Sequence, residues 1–216
     1  MARFTLVIGS KNYSSWSLRA WIAARQAGIE FDEVVVPLDT ATTRESLLSH
    51  SPAGLVPVLK DGAITIWESL AILEYLAEAA PEKHLWPADV PARAHARTVS
   101  LEMHAGFMAL RQACPMNCRK RCETFELTAE TRADVERISA LWRDCRTRFG
   151  GGGEFLFGAF TNADAMYAPV VSRFVTYGVA LDPPNQAYAD AVMALPAMQD
   201  WISAGAAEPV IDKYEI

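Results

Sequence analysis

The chain has 216 residues, 51% hydrophobic and 21% charged, which allows one large or two small domains and gives the composition of a soluble globular protein. Its net charge of -6 lacks the basic excess that sequence-independent DNA binding needs. No apolar run approaches the roughly 18 residues of a membrane span, and the N-terminal run is too short for a signal peptide, so a cytoplasmic protein is expected.

The N-terminal third alternates strand and helix. Phe4 to Ile8 has strand length, Gly9 to Ser15 is polar and turn-like, and Trp16 to Ala27 is helical, stopping at Gly28, a good residue just past a helix end. Phe31 to Val36 is β-branched and reads as a second strand. Strand, helix, strand implies parallel pairing with a right-handed crossover. Thr43 to Leu48 is a weak helix.

The stretch from Ser51 to Leu76 is the most informative. A turn at residues 51–54 leads into Val56-Pro57, which opens the short run Val58-Leu59; Asp61-Gly62 makes a hairpin turn, and Ile64 to Trp67 follows. A proline opening a strand cannot donate to the ladder. Pro57 is read as a cis-proline, turning the backbone of the preceding residue outward as a binding edge. Glu68-Ser69 then starts a helix with apolar residues at Leu70, Ile72, Leu73 and Leu76. Such a unit suits a ligand with a peptide backbone and charged ends. The order β-α-β-α-β-β-α is a thioredoxin-like α/β layout.

Residues 80–91 hold three prolines and no periodicity, and read as a linker. The expected division is 1–80 for the α/β domain, 81–91 for the linker and 92–216 for an all-α domain. Ala92 to about Gln112 is expected as one helix with Met103, Phe107 and Leu110 on one face. On it, Arg97, His104 and Arg111 recur every seven residues, either as a solvated stripe or, for His104, Phe107 and Arg111, as the lining of a cleft between the domains, which Met116 and Asn117 would close. Cys114, Cys118 and Cys122 are spaced by four and would share one stripe on a helix. Without a C-x-x-C pair, these and Cys145 indicate neither a zinc ribbon nor a thioredoxin-type redox motif, and they read as reduced. Ala129 to Phe149 is a second long helix, ended by Gly150 to Gly153. Thr161 and Asp164 form a capping box before a helix from Ala165 to about Tyr177 that is apolar all round and therefore central. Ala187 to Ala194 and Pro196 to Ala204 are shorter helices.

Three of these segments together resemble the soluble glutathione S-transferases over nearly the whole length. Tyr13-Ser14-Ser15-Trp16-Ser17-Leu18-Arg19 is similar to the SSCSWRVR stretch of the zeta class. Leu55-Val56-Pro57-Val58-Leu59 followed by Glu68-Ser69 looks like the glutathione-binding half, and Gly158 to Asp164 resembles the capping box of the core helix. Trp16 stands where the zeta pattern has cysteine, and Leu55 where glutamine is usual.

The resemblance implies a glutathione co-substrate, no metal, a homodimer, no nucleic-acid or membrane partner, and a thioredoxin-like domain joined to a helical bundle. It implies that Leu55, Val56 and Pro57 bind the cysteinyl part of glutathione through the Val56 backbone. Glu68 and Ser69 would hold the γ-glutamyl end, the helix start suiting its carboxylate. A hydroxyl at the start of helix one would donate to the sulfur: Ser14 first, Ser15 second, Tyr13 third. A free thiol has a pKa near 8.5, and a hydrogen bond plus a helix N-terminus both favour the thiolate. Tyr13, Trp16, His104, Phe107 and Arg111 would surround a small hydrophobic electrophile. The activity implied is glutathione transfer, with a maleylacetoacetate-type isomerase or a non-catalytic glutathione-binding protein as alternatives. The two serines could also serve only as helix caps.

Overall fold

The computed structural model describes residues 2–215. Strands β1 (Phe4–Gly9), β2 (Phe31–Val36), β3 (Val58–Asp61) and β4 (Ile64–Trp67) form one sheet in the order β2-β1-β3-β4. β1 pairs parallel with β2 across helix α1 (Ser15–Gln26) and antiparallel with β3, and β3 pairs antiparallel with β4. The hairpin opposes Asp61 to Ile64; the turn between them needs a residue at positive φ, which Gly62 supplies at 57°. Successive β1 side chains alternate sides of the sheet. Leu6 and Ile8 join the large core, whereas Val7 meets Val36, Leu47 and Val58 beneath helix α2 (Thr43–Leu48).

Helix α3 (Ser69–Ala79) follows the hairpin directly. The rest of the described chain is helical: α4 (Val90–Ala105), α5 (Met108–Ala113), α6 (Ala129–Phe149), α7 (Asn162–Thr176), α8 (Pro183–Ala194) and α9 (Pro196–Ala206), with single 3-10 turns at Pro81–Lys83 and Asp212–Tyr214. No helix among the described residues is long and apolar enough to cross a membrane. The thioredoxin-like sheet with its appended helices thus matches the expected fold class.

The single large core runs from Leu6, Leu18 and Ile72 of the sheet half to Trp142, Tyr167 and Trp201 of the helical half. α7 is its axis, buried along nearly its whole length. It starts at Asn162, three residues earlier than the periodicity indicates, because the cap sets its first turn. Thr161 and Asp164 make the expected capping box. Asn162 ties it to the sheet half, donating from its backbone to the Leu85 carbonyl (2.8 Å) and from its side chain to that of Leu73 (3.1 Å).

Two expectations fail for identifiable reasons. The helix from Ala92 to Gln112 is broken: Gly106 is extended, with φ -107° and ψ -165°, and Phe107 is left-handed at φ 60°. A Cβ on Gly106 would lie 2.8 Å from the Glu102 carbonyl oxygen. The Arg111 guanidinium folds back on the carbonyls of Met103 and His104, capping the end of α4. The Arg97-His104-Arg111 stripe is therefore not continuous; Arg97 pairs with Glu74 at 2.8 Å. The cysteine stripe also fails, because Pro115 disfavours helix at Cys114 and residues 114–127 carry no helix beyond it. All four cysteines are free. Burial pushes the thiols of Cys114 and Cys118 up to about 11 and that of Cys145 up to about 12.

The Asp164 carboxylate accepts from the backbone of Leu156 (3.0 Å) and Thr161 (2.8 Å) and from the Thr161 hydroxyl (3.0 Å). Burial outweighs these donors and pushes its carboxyl up to about 6. The ordinary value is about 3.9, so the folded chain binds this proton more tightly than the unfolded one. The stability this group contributes is full below about pH 4 and is lost as pH rises through about 6. Denaturation measured across that window should show a steeper loss of stability for the native chain than for Asp164→Asn.

Candidate functional site

Three pieces of the sheet half and one of the helical half meet in a cleft of about 300 Å³ lined by Trp16, Leu55, Val56, Pro57, Trp67, Glu68, Ser69 and His104. The Val56-Pro57 peptide is cis, as expected, and stands at the entry of β3. The β4 strand ends at Trp67, and the chain turns into α3 through Glu68, whose φ of 71° is left-handed. Ser69, the first residue of α3, is fully buried, and its hydroxyl has no hydrogen-bond partner although it borders the cleft. An orphaned hydroxyl beside the free N–H groups of a helix start offers ready hydrogen-bond donors to a carboxylate. Glu68 stands next to it with a half-exposed side chain, and its carboxylate lies 3.6 Å from His104 Nε2.

His104 enters from the last turn of α4 and packs edge-on against Trp16, 5.2 Å between ring centroids. Burial, with help from Arg19 and Arg111, lowers its pKa despite Glu68 and so favours the neutral ring. Trp16 carries the Arg19 guanidinium at 4.3 Å and that of Arg111 at 4.8 Å. Arg19 is buried, donates to the Met166 carbonyl at 3.2 Å, and among the described residues has no carboxylate paired with it. Burial and the charges of Arg111 and Arg173 push its guanidinium well below the usual range. The indole thus separates the cleft from the two guanidinium groups. Arg19 escaped the sequence reading, although it lies one helical turn beyond Trp16.

The hydroxyls at the start of α1 differ in their engagements. Ser14 is the N-cap: its Oγ accepts from the Ser17 N–H (3.4 Å) and donates to Ser17 Oγ (2.7 Å), which in turn accepts from the Gly9 N–H (3.0 Å). No side-chain hydrogen bond engages Ser15 among the described residues. Neither serine lines the cleft; both precede Trp16, which does. Tyr13 is not brought to the cleft at all, because its hydroxyl is taken up by Arg119, Ile211 and Glu215. Phe107 is buried at the α4–α5 break, and Arg111 sits behind Trp16. Met116 and Asn117 are buried too, Asn117 bonded to Asn12 at 2.9 Å, and close no cleft. Trp67 completes the lining. Among the described residues, no group of three or more His, Cys, Asp or Glu is gathered as metal ligands.

The left-handed conformation of Glu68 costs about 1 kcal/mol in a residue with a Cβ. Glu68→Gly should therefore unfold at higher denaturant than Glu68→Ala, by about that amount, although both lose the carboxylate.

Comparison with known proteins places this geometry in context. Residues 13–79 match the model of the glutathione S-transferase N-terminal domain. A probable maleylacetoacetate isomerase of Caenorhabditis elegans is 37% identical over 97 residues, 45% of each chain, so that match spans just under half of the relative's length. The maleylacetoacetate isomerase of Rattus norvegicus is 29% identical over 194 residues, 86% of this chain and 87% of its own. Among solved structures, a glutathione transferase homologue from Burkholderia gl BGR1 with bound glutathione superposes with a TM-score of 0.71 at 24% identity, covering 94% of this chain and 97% of its own. A bacterial maleyl pyruvate isomerase, a zeta-class transferase, does so with a TM-score of 0.72 at 23% identity, covering 95% and 98%. Residues 13–79 are thus similar to the glutathione S-transferase N-terminal domain, and the chain as a whole shares the fold of these solved structures.

Proposed function

We propose that the chain is a glutathione-dependent transferase whose cleft binds glutathione and activates its thiol. The observation that carries this reading is the buried, partnerless Ser69 hydroxyl beside Glu68, in the same cleft as the cis Val56-Pro57 edge. The Glu68 carboxylate pairs with the α-ammonium of the γ-glutamyl group. Ser69 and the start of α3 take its carboxylate, and the Val56 backbone pairs with the cysteinyl unit beside Leu55 and Pro57. Residues 1–80 act as the glutathione-binding domain, 81–91 as the linker and 92–216 as the helical domain. The assembly is a cytoplasmic homodimer.

Activation needs a donor to the thiolate. Ser14 has committed its proton to Ser17, whereas Ser15 has not. We therefore assign the sulfur contact to Ser15 before Ser14. The helix start of α1 and the cations behind Trp16 add to the bias toward thiolate. The thiolate attacks a small electrophile held against Trp16 and His104; a carbon–sulfur bond forms, the leaving group departs with its electron pair, and the thiol proton passes to solvent. A second reading, a glutathione-dependent isomerase, is favoured by the match along 86% of the chain to a maleylacetoacetate isomerase. There the thiolate adds to a conjugated double bond, the bond rotates, and the thiolate is expelled again.

Calorimetric titration with glutathione tests the reading. Glu68→Ala should weaken binding about tenfold, equivalent to about 1.4 kcal/mol. Ser15→Ala should leave binding within about threefold and lower kcat with a model electrophile about a hundredfold. Ser14→Ala should cost about 1 kcal/mol of stability as a lost cap. No heat at millimolar glutathione with the intact protein would remove the transferase and isomerase readings together.

A further inference from the structure

The loop between β1 and α1 is held in large part by residues distant in sequence, from the segment after α5 and from the C-terminal residues. Locally, the Ser10 carbonyl accepts from the backbone of Tyr13 (3.2 Å) and Ser14 (2.8 Å), the Tyr13 carbonyl accepts from Ser15 (3.1 Å), and the Ser10 hydroxyl accepts from the Leu38 N–H (3.0 Å). The N–H groups of Lys11 and Asn12 both go to the Glu208 carboxylate, at 2.7 and 2.9 Å. The Asn12 carbonyl accepts from the Cys118 backbone at 3.2 Å, and its side chain bonds Asn117 (2.9 Å) and the Arg119 N–H (3.0 Å). Gly205 of α9 presses against the loop so closely that a Cβ there would lie 2.8 Å from the Asn12 nitrogen.

Tyr13 is the centre of this arrangement. Its hydroxyl donates to Glu215 Oε1 (2.7 Å) and accepts from Arg119 Nη2 (2.6 Å) and the Ile211 N–H (3.0 Å), while its ring stacks on Tyr214 at 5.1 Å. One proton and two lone pairs are the whole capacity of a hydroxyl. Arg119 also donates to the Glu208 carbonyl (2.8 Å), and Asn117 to Glu215 Oε1 (2.9 Å). Apart from the Tyr13 N–H and carbonyl and the Lys11 ammonium, which pairs with Glu33 at 2.7 Å, the polar groups of residues 11–13 named here meet partners about a hundred or more positions away, immediately before the serines that begin α1.

We propose that Tyr13, Arg119 and the tail residues Glu208 to Glu215 form a latch that positions the β1–α1 loop, and with it the serine hydroxyls, for activation of the bound thiol. This rests on the reading of the cleft as a glutathione site. Tyr13 and Arg119 are positioning residues: neither reaches the cleft, and the Tyr13 proton is committed to Glu215. Reactive geometry tolerates little displacement, a 1 Å error being able to cost about a hundredfold, so a loosened latch acts on kcat rather than on glutathione binding.

The test uses Tyr13→Phe, Arg119→Ala and the double variant, each first checked for a native far-UV spectrum and cooperative melting. Hydrogen exchange on the unliganded protein should speed up about tenfold or more across residues 9–18 in every variant. The kcat should fall by about tenfold to a hundredfold with the glutathione KM within about threefold. The pKa of bound glutathione, read from thiolate absorbance, should rise by about one unit. Because both side chains serve one device, the double variant should be no worse than the weaker single within about threefold. Unchanged exchange across 9–18, or unchanged kcat and thiolate titration in a loosened loop, overturns the proposal. So does a Tyr13→Phe loss beyond about a thousandfold with Arg119→Ala like wild type, since Tyr13 would then act on the sulfur itself. An intact protein that binds no glutathione overturns the functional reading instead, and the exchange data still decide whether the latch holds the loop.

Discussion

The molecule depends on the burial of helix α1 from two sides. One side lies on the sheet through Leu18 and Ile22, the other against α7, where Arg19 donates to the Met166 carbonyl. A helix packed on both sides cannot slide or rotate without opening the core. Its first turn is therefore a fixed point, and the cleft is organised around that point. Trp16 forms one wall, the Val56-Pro57 edge another, and the start of α3 the floor. The helical half contributes His104 and, more importantly, the rigid backing that α7 supplies.

Charge follows the same plan. Burying Arg19 without a carboxylate partner among the described residues is costly, and its hydrogen bond to the Met166 carbonyl offsets part of that cost. On the proposed reading, the guanidinium groups of Arg19 and Arg111 lie behind the aromatic wall of a cleft in which a thiol would lose its proton. Glu68 and Ser69 stand at the start of α3, where on that reading a zwitterionic group would be held.

Much of this was legible in the sequence because it is local. The strand periods, the Asp61-Gly62 turn, Pro57 at a strand start and the Thr161-Asp164 spacing each fix a few dihedrals within a handful of residues, and the structure repeats them nearly residue for residue. What was not legible depends on distant partners. The break at Gly106-Phe107 interrupts a good helical period because Arg111 caps α4 from beyond it. The fate of the Tyr13 hydroxyl is decided by Ile211 and Glu215, about two hundred positions away. Nor could spacing tell that Ser14 gives its proton to Ser17 while Ser15 does not. Single hydroxyls carry no pattern; their roles are set by what folding brings beside them.

The cysteines have a bearing on durability. A protein that confronts reactive carbon electrophiles exposes its own thiols to the same alkylation it would catalyse on another. With pKa values near 11 and no solvent access, Cys114 and Cys118 hold only on the order of one molecule in ten thousand as thiolate at pH 7. Cys145, higher still, holds fewer. On the proposed reading, these buried thiols are thereby shielded from self-inactivation, and the reactive sulfur is one the chain would borrow rather than one it must replace.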